Sequence, residues 1–333
     1  MKKIKILLLV LFVIFNSNMT HANDDFEKWK IMFKSYAMNQ GVSTTTLDKV
    51  IDNSKFLPNV IKYDRYQPEF YEDTKTYISK RTSKRKIVIG NKIYKKNIDK
   101  INFIASSYNV DKNLLLSLMG IETNFGSYLG KMDIISSLAT LSFDKRRSQF
   151  FTSELITLLK LIDKKIIDPD TLYGSWAGAF GNFQFMPSTI KNYAVDFDSD
   201  KKISLKKTDD SFASAANYLN KLGWNNSNPC FYKVKLKSTI PAEYLNISAK
   251  KIHSKKKLKF FKKYINNSSE LDFLNENLKT AIITPDKDII PNAETLNPAY
   301  IVFDNYEIIL QWNRSLRFAL AVCTLKDEIR NEL

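Results

Sequence analysis

What most constrains the fold of this chain is a change of period around Asn225 to Pro229. Before it, apolar residues recur at helical intervals of three and four. After it, residues 230–303 carry alternating and β-branched runs such as Phe231-Tyr232-Lys233-Val234-Lys235-Leu236 and Thr280-Ala281-Ile282-Ile283, the pattern of short strands. Residues 306–331 return to helical spacing. The order fits a mainly helical body with a small inserted sheet. With 9 glycines and 9 prolines in 333 residues, collagen-like and disordered architectures are excluded.

Within the helical part, 24–40 and 44–52 read as helices, with Phe26, Trp29, Met32 and Phe33 on one face. Tyr63 to Phe70, aromatic and interrupted by Pro68, reads as a loop packed on the surface. Residues 71–90 are basic and contain Tyr77. Residues 91–108 read as one amphipathic helix through Ile93, Ile98, Ile101 and Ile104. Asp111 is placed to cap a helix over 112–124. Further helices are expected over 147–165, 187–194 and 209–222, with a glycine-rich turn from Gly174 to Gly181.

The first residues point to export. Lys2, Lys3 and Lys5 precede an apolar run, Ile6 to Phe15, of signal-peptide length, and Thr20-His21-Ala22 ends in a small residue. We expect cleavage after Ala22, and a periplasmic protein. No cysteine lies near the cut, so a lipid anchor is not expected. A net charge of +16 suits a polyanionic partner: nucleic acid, an acidic membrane or an acidic wall polymer. The export signal opposes nucleic acid, and no recognition motif supports it. Cys230 and Cys323 fit either one disulfide or a buried thiol at Cys323, which lies in an apolar helical run. Two cysteines and two histidines exclude a conventional zinc site.

The sharpest chemical anomaly is Glu122. Leu115, Leu118, Met119 and Glu122 fall at i, i+3, i+4 and i+7, so a carboxyl ends an otherwise apolar stripe. Desolvation there favours the protonated form, as a general acid working near neutral pH requires. The helix stops at Asn124-Phe125-Gly126, which puts the carboxyl near an exposed end. Gly174 to Pro187 combines small residues with Ser175, Gln184 and aromatics, suited either to close helix packing or to sugar contact. Asp196-Phe197-Asp198-Ser199-Asp200 resembles the first half of a calcium loop. Lys201 then stands where glycine is wanted and Lys207 where a bidentate glutamate is wanted, with Asp209 or Asp210 as substitutes.

Four blocks together resemble the B-type lytic murein transglycosylases, glycoside hydrolase family 103. They are Gly120-Ile121-Glu122-Thr123-Asn124-Phe125-Gly126 with Leu138-Ala139-Thr140-Leu141-Ser142-Phe143; Ser175 to Gly181 with Gln184-Phe185-Met186-Pro187-Ser188; Asn217-Tyr218-Leu219 with Gly223-Trp224; and Asn305-Tyr306 with Trp312-Asn313-Arg314-Ser315. The resemblance covers most of 65–330. It implies a lysozyme-like helical core, an N-terminal helical region and a small inserted β-domain. The corresponding segments are a leader 1–22, a helical region 23–90, a core 91–228, a β-rich insert 229–303 and a returning helix 304–333.

The resemblance also implies roles. Glu122 is the catalytic acid/base; Ser175, Gln184 and Asn313 are polar groups around the sugar; Tyr77, Tyr218 and Trp312 are aromatic cleft positions. Trp312 stands where the family has a tyrosine. Asp196, Asp198 and Asp200 are candidate calcium ligands, for a structural ion only; no cofactor is required. The expected partner is the peptidoglycan glycan strand, acted on by a monomer, with a wall-synthesis complex as a further candidate partner. The reaction cuts the MurNAc–GlcNAc β-1,4 bond and leaves a 1,6-anhydro end. Most glycosidases need two carboxylates; nothing in the sequence assigns Asp133 or Asp144 to Glu122. A hydrolytic muramidase and a non-catalytic wall-binding scaffold remain the competing readings.

Overall fold

The computed structural model describes residues 22–66, 72–287 and 289–332. The leader expected over 1–22 lies outside them, except for Ala22. The chain forms two compact units. One runs up to Tyr66 and includes Leu129–Asn192 and Ser199–Ser204; the other comprises the described residues from Glu72 to Tyr128, Tyr193–Asp198 and the chain from Leu205 onward.

The first unit begins with a helix over 22–39. Phe26 and Phe33 are buried, and Trp29 stacks on both, at 5.4 and 4.9 Å between ring centroids. Phe56 and Phe143 pack against Phe26. Met32, expected on this face, is exposed. At about 100° per residue it falls well away from the line of Phe26, Phe33 and Ala37. Short helices follow at Thr44–Val50 and Pro58–Arg65. The second takes in Tyr63 to Arg65, expected in a loop; proline is favoured in a first turn, so Pro58 starts this helix well. Residues 67–71 of that expected loop lie outside the described residues.

A helix that the sequence reading did not identify, Ile134–Phe143, is buried along nearly its whole length. With no polar face it shows no amphipathic period. Asp133 caps it, accepting from the amide of Ile135 at 3.1 Å and the hydroxyl of Ser136 at 2.5 Å. It packs on Ser148–Asp163. The strands Met132–Asp133 and Tyr173–Gly174 pair antiparallel in front of it in sequence and behind it.

In the second unit the single helix expected over 91–108 is two, Lys84–Lys96 and Ile98–Ser107. The break is Asn97, whose side chain donates to the carbonyl of Ile93 at 3.0 Å and so competes with the backbone ladder. The C-terminal helix is divided too, into Asp304–Trp312 and Leu316–Glu332. Asn313 is extended between them, and the buried Tyr306 hydroxyl donates to the carbonyl of Leu316 at 2.7 Å across the break.

The expected sheet is present. Phe231–Val234, Ala299–Val302, Lys279–Ile283 and Leu245–Asn246 lie side by side in that order, antiparallel except for the last pair, and Lys256–Lys257 pairs with the start of Lys279–Ile283. Val234, Leu258, Phe261, Ile282 and Ile301 form its core. Cys230 and Cys323 are joined in a disulfide, not left as thiols, which ties the start of this sheet to the last helix. Arg317 is almost wholly buried and meets Asp286 at 3.0 Å; Asp286 also accepts from the amide of Thr74 at 2.9 Å. A buried charge is tolerated only when paired in this way.

Candidate active site

The site is built on the helix Lys112–Thr123. Asp111 caps it as expected, accepting from the amide of Asn113 at 2.9 Å. From Asn113 to Gly120 every residue is buried. The stripe of Leu115, Leu118 and Met119 is therefore part of a helix buried all round, packed by Leu316–Glu332, Lys84–Lys96, Ile98–Ser107 and Thr208–Lys221.

The helix ends abruptly. Asn124, Phe125 and Gly126 have φ of 49°, 58° and 80°, three consecutive left-handed residues. The amides of Asn124 and Phe125 both turn to the carbonyl of Met119. The carbonyl of Gly120 instead accepts from the ammonium of Lys86 at 2.5 Å. Burial, with Arg81 nearby adding to it, holds the Lys86 pKa below the usual lysine value. Phe125 folds back under the helix, and a Cβ on Gly120 would lie 2.6 Å from its ring. Glycine at 120 is thus a matter of space.

Glu122 occupies the last turn, half-buried. The indole nitrogen of Trp312 donates to its Oε1 at 2.9 Å. Trp312 stacks on Tyr218, at 5.1 Å and 27°, and Tyr218 stacks on Tyr193, at 4.3 Å and 26°. Burial, then the neighbouring Tyr193, pushes the Tyr218 phenol above its ordinary pKa. The result is a continuous row, Glu122, Trp312, Tyr218, Tyr193. Because an indole can only donate, Oε1 must act as an acceptor.

Of the other expected site residues, Asn313 follows Trp312 directly and is half-buried at the break between the last two helices. Tyr77 is in the same unit but only 3% exposed, and the Arg81 guanidinium covers its ring at 3.5 Å. Ser175 and Gln184 belong to the other unit. There the Ser175 hydroxyl oxygen accepts from the amide of Ala179 at 3.0 Å, and the Gln184 amide donates to the carbonyls of Gly181 at 3.0 Å and Leu129 at 3.3 Å. Both brace the glycine-rich turn. At Gly174 a Cβ would lie 2.2 Å from the carbonyl of Ala179, so the turn closes too tightly for any side chain there.

The carboxylate oxygens that gather are those of Asp196, Asp198 and Asp210, all within 4.8 Å of one another. Asp200 instead accepts from the amide of Lys202 at 2.8 Å. Two members of the site had little or no trace in the sequence reading. The sequence assigns no role to Tyr193, and nothing in it points to Lys86, 34 residues from the carbonyl it caps.

The fold is mainly helical, and its buried helix Lys112–Thr123 carries a hydrogen-bonded glutamate in its last turn. The family model described as the transglycosylase SLT domain matches residues 25–327, and this chain belongs to that family. It is similar to the membrane-bound lytic murein transglycosylase B of Escherichia coli strain K12, 42% identical over 127 residues. That match takes in 38% of this chain and only 35% of the relative's length.

Solved structures resemble it over far more of its length. SltB3 from Pseudomonas aeruginosa, in complex with NAG-NAM-pentapeptide, superposes with a TM-score of 0.81 at 29% identity, covering 92% of this chain and 79% of that one. The Escherichia coli lytic transglycosylase Slt35 in complex with calcium gives 0.74 at 25% identity, covering 91% and 93%. The mainly helical, lysozyme-like class expected from the sequence is the class of these structures. Among the described residues no helix is long and apolar enough to cross a membrane.

Proposed function

We propose that this protein is an exported, periplasmic lytic transglycosylase that cuts the MurNAc–GlcNAc β-1,4 bond of peptidoglycan and leaves a 1,6-anhydro-MurNAc end. The observation that carries the reading is the Glu122 carboxyl, fixed at 2.9 Å by Trp312 at the end of a buried helix, in a chain of this family.

Protonated Glu122 gives its carboxyl proton to the glycosidic oxygen. The C1–O bond breaks, and the GlcNAc-side fragment leaves as an alcohol. The positive charge left at C1 is met by the C6 hydroxyl of the same sugar. Ionised Glu122 takes the proton of that hydroxyl as O6 bonds to C1. The glutamate ends as it began, and no water is consumed. Since the nucleophile is tethered, its effective molarity is high and a single carboxyl suffices. Trp312 holds that carboxyl in one orientation through both proton transfers. The aromatic row gives apolar surface for the C–H faces of the sugars, and Asn313, Ser175, Gln184 and Tyr77 are carried as glycan-binding positions on the family resemblance. In this reading 91–228 is the catalytic core and 229–303 an insert in it.

The hydrolytic alternative ordinarily uses a second carboxylate. Asp133 caps the helix Ile134–Phe143, and Asp144 pairs with Arg65 at 2.8 Å. Both have structural work, which favours the single-carboxyl route.

The donors of Asp196, Asp198 and Asp210 are hard oxygens and fit a calcium ion. Lys207, 3.5 Å from Asp198, supplies a cation where a calcium loop wants a glutamate, so the site fits a weak structural ion. No catalytic step depends on it.

The test is the mass of the products released from purified sacculi. Muropeptides with non-reducing ends, lighter by one water than hydrolysis products, are expected; reducing ends would make the protein a muramidase, and binding without products a scaffold.

A further inference from the structure

At the end of the aromatic row away from Glu122, Tyr193 and Tyr218 line a cavity of about 550 Å³. Leu222, Ile252 and Leu310 make part of its wall apolar, and the charge on it is mostly basic. Lys250, Lys251, Lys255 and Arg314 all border it, against a single carboxylate, Glu307. Lys255 is engaged by that carboxylate and lies 3.8 Å from Asp304. Among the described residues, no ion pair engages Lys250, Lys251 or Arg314. Lysines are scattered over the rest of this chain, so their number alone means little. Here several converge on one concave surface, and their charges are not neutralised.

The loop that presents them is built rather than loose. Asn246, almost fully buried, clamps it from the sheet: its Oδ1 accepts from the amide of His253 at 2.7 Å, and its Nδ2 donates to the carbonyls of His253 at 3.2 Å and Ile282 at 2.9 Å. Ser254 donates to the carbonyl of Glu243 at 2.7 Å. Ile252 is buried while Lys250 and Lys251 on its N-terminal side are exposed. Arg314 is held in the break between the last two helices, next to Asn313.

We propose that this cavity binds the carboxylates of a peptide carried on the glycan, beside a sugar seated on the row of Trp312, Tyr218 and Tyr193. The inference rests on the peptidoglycan reading above. A peptide joined to the sugar by its amino end presents at least its C-terminal carboxylate. Arg314 can take a carboxylate through two parallel N–H bonds, and Lys250 and Lys251 act as point charges. Because these groups are exposed, each pair contributes modestly and is screened by salt. Their role is to favour peptide-bearing over stripped strands.

The test uses the full exported chain with Glu122→Gln, so that no strand is cut during the measurement. Affinity is compared for glycan strands bearing peptides and for the same strands stripped by an amidase. Peptide-bearing strands should bind about three- to tenfold more tightly, the scale of two or three exposed ion pairs. The preference should shrink as salt rises. Replacing Lys250 and Lys251 together by Ala should bring the ratio close to one, and replacing both by Arg should restore it. A ratio near one in the unreplaced loop, or one that the double Ala variant leaves unchanged, overturns the proposal. Failure of the peptidoglycan reading shows separately, as absence of any cut product with Glu122 intact.

Discussion

The indole nitrogen of Trp312 lies 2.9 Å from Oε1 of Glu122. The two residues are 190 positions apart in the chain. The same indole stacks on Tyr218. One residue therefore fixes the carboxyl and extends the aromatic surface, and a substitution can separate the two roles. Trp312→Phe keeps a ring for Tyr218 and loses the N–H. We expect kcat and kcat/KM to fall together by about ten- to a hundredfold, the scale of one hydrogen bond to a charged group. A rise in KM with kcat unchanged would instead assign Trp312 to sugar binding alone.

Gly120→Ala places a methyl 2.6 Å from the Phe125 ring, which is itself buried against Gly90. The crowded ring must move, or the helix end must. The expected cost is about 1–3 kcal/mol in urea unfolding, as for other overpacked cores. Phe125→Leu in the same chain should recover part of it. An unchanged midpoint for Gly120→Ala would contradict the packing described here.

The disulfide between Cys230 and Cys323 closes a span of 93 residues. In the chain-entropy account a loop of that size stabilises by about 4–5 kcal/mol at most, with 2–4 more usual. Cys230→Ser, or reduction of the native protein, should lower the unfolding midpoint accordingly. Identical curves with and without reductant would show that the thiols do not pair in solution.

Millimolar calcium should raise Tm by about a few degrees, by mass action on the folded state. Asp210→Asn should abolish the shift, because Asp210 is the buried member of the cluster. Asp200→Asn should leave it in place, since its carboxylate serves the amide of Lys202. No response to calcium in the native chain would leave Lys207 as the cation of that cluster.

The site was legible in the sequence where chemistry is local. Glu122 stood out because spacing put a carboxyl on an apolar stripe and Asn124-Phe125-Gly126 ended the helix, and the left-handed backbone at all three residues bears that out. Asp111 was legible as a cap for the same reason. The helix Ile134–Phe143 escaped because a helix buried on every side has no period to read. The break at Asn97 was hidden because Ile93, Ile101 and Ile104 still fall near one face when counted through it. Contacts made over long separations left no local trace. The bond from Trp312 to Glu122 and the cap of Lys86 on Gly120 needed the fold, whereas Asp210 is one of the two substitutes that the calcium-loop pattern offers, and the fold selects it.

The most direct test of the account is the rate of sacculus cleavage by Glu122→Gln, with fold and glycan binding checked on the same sample. Glutamine keeps an oxygen to accept from Trp312 but has no acid proton to give. A folded, glycan-binding variant whose rate falls by about a hundred- to ten-thousandfold, the scale of an essential general acid, is the predicted result. A folded variant that still cleaves within about tenfold of the native rate would place the acid elsewhere and contradict the account.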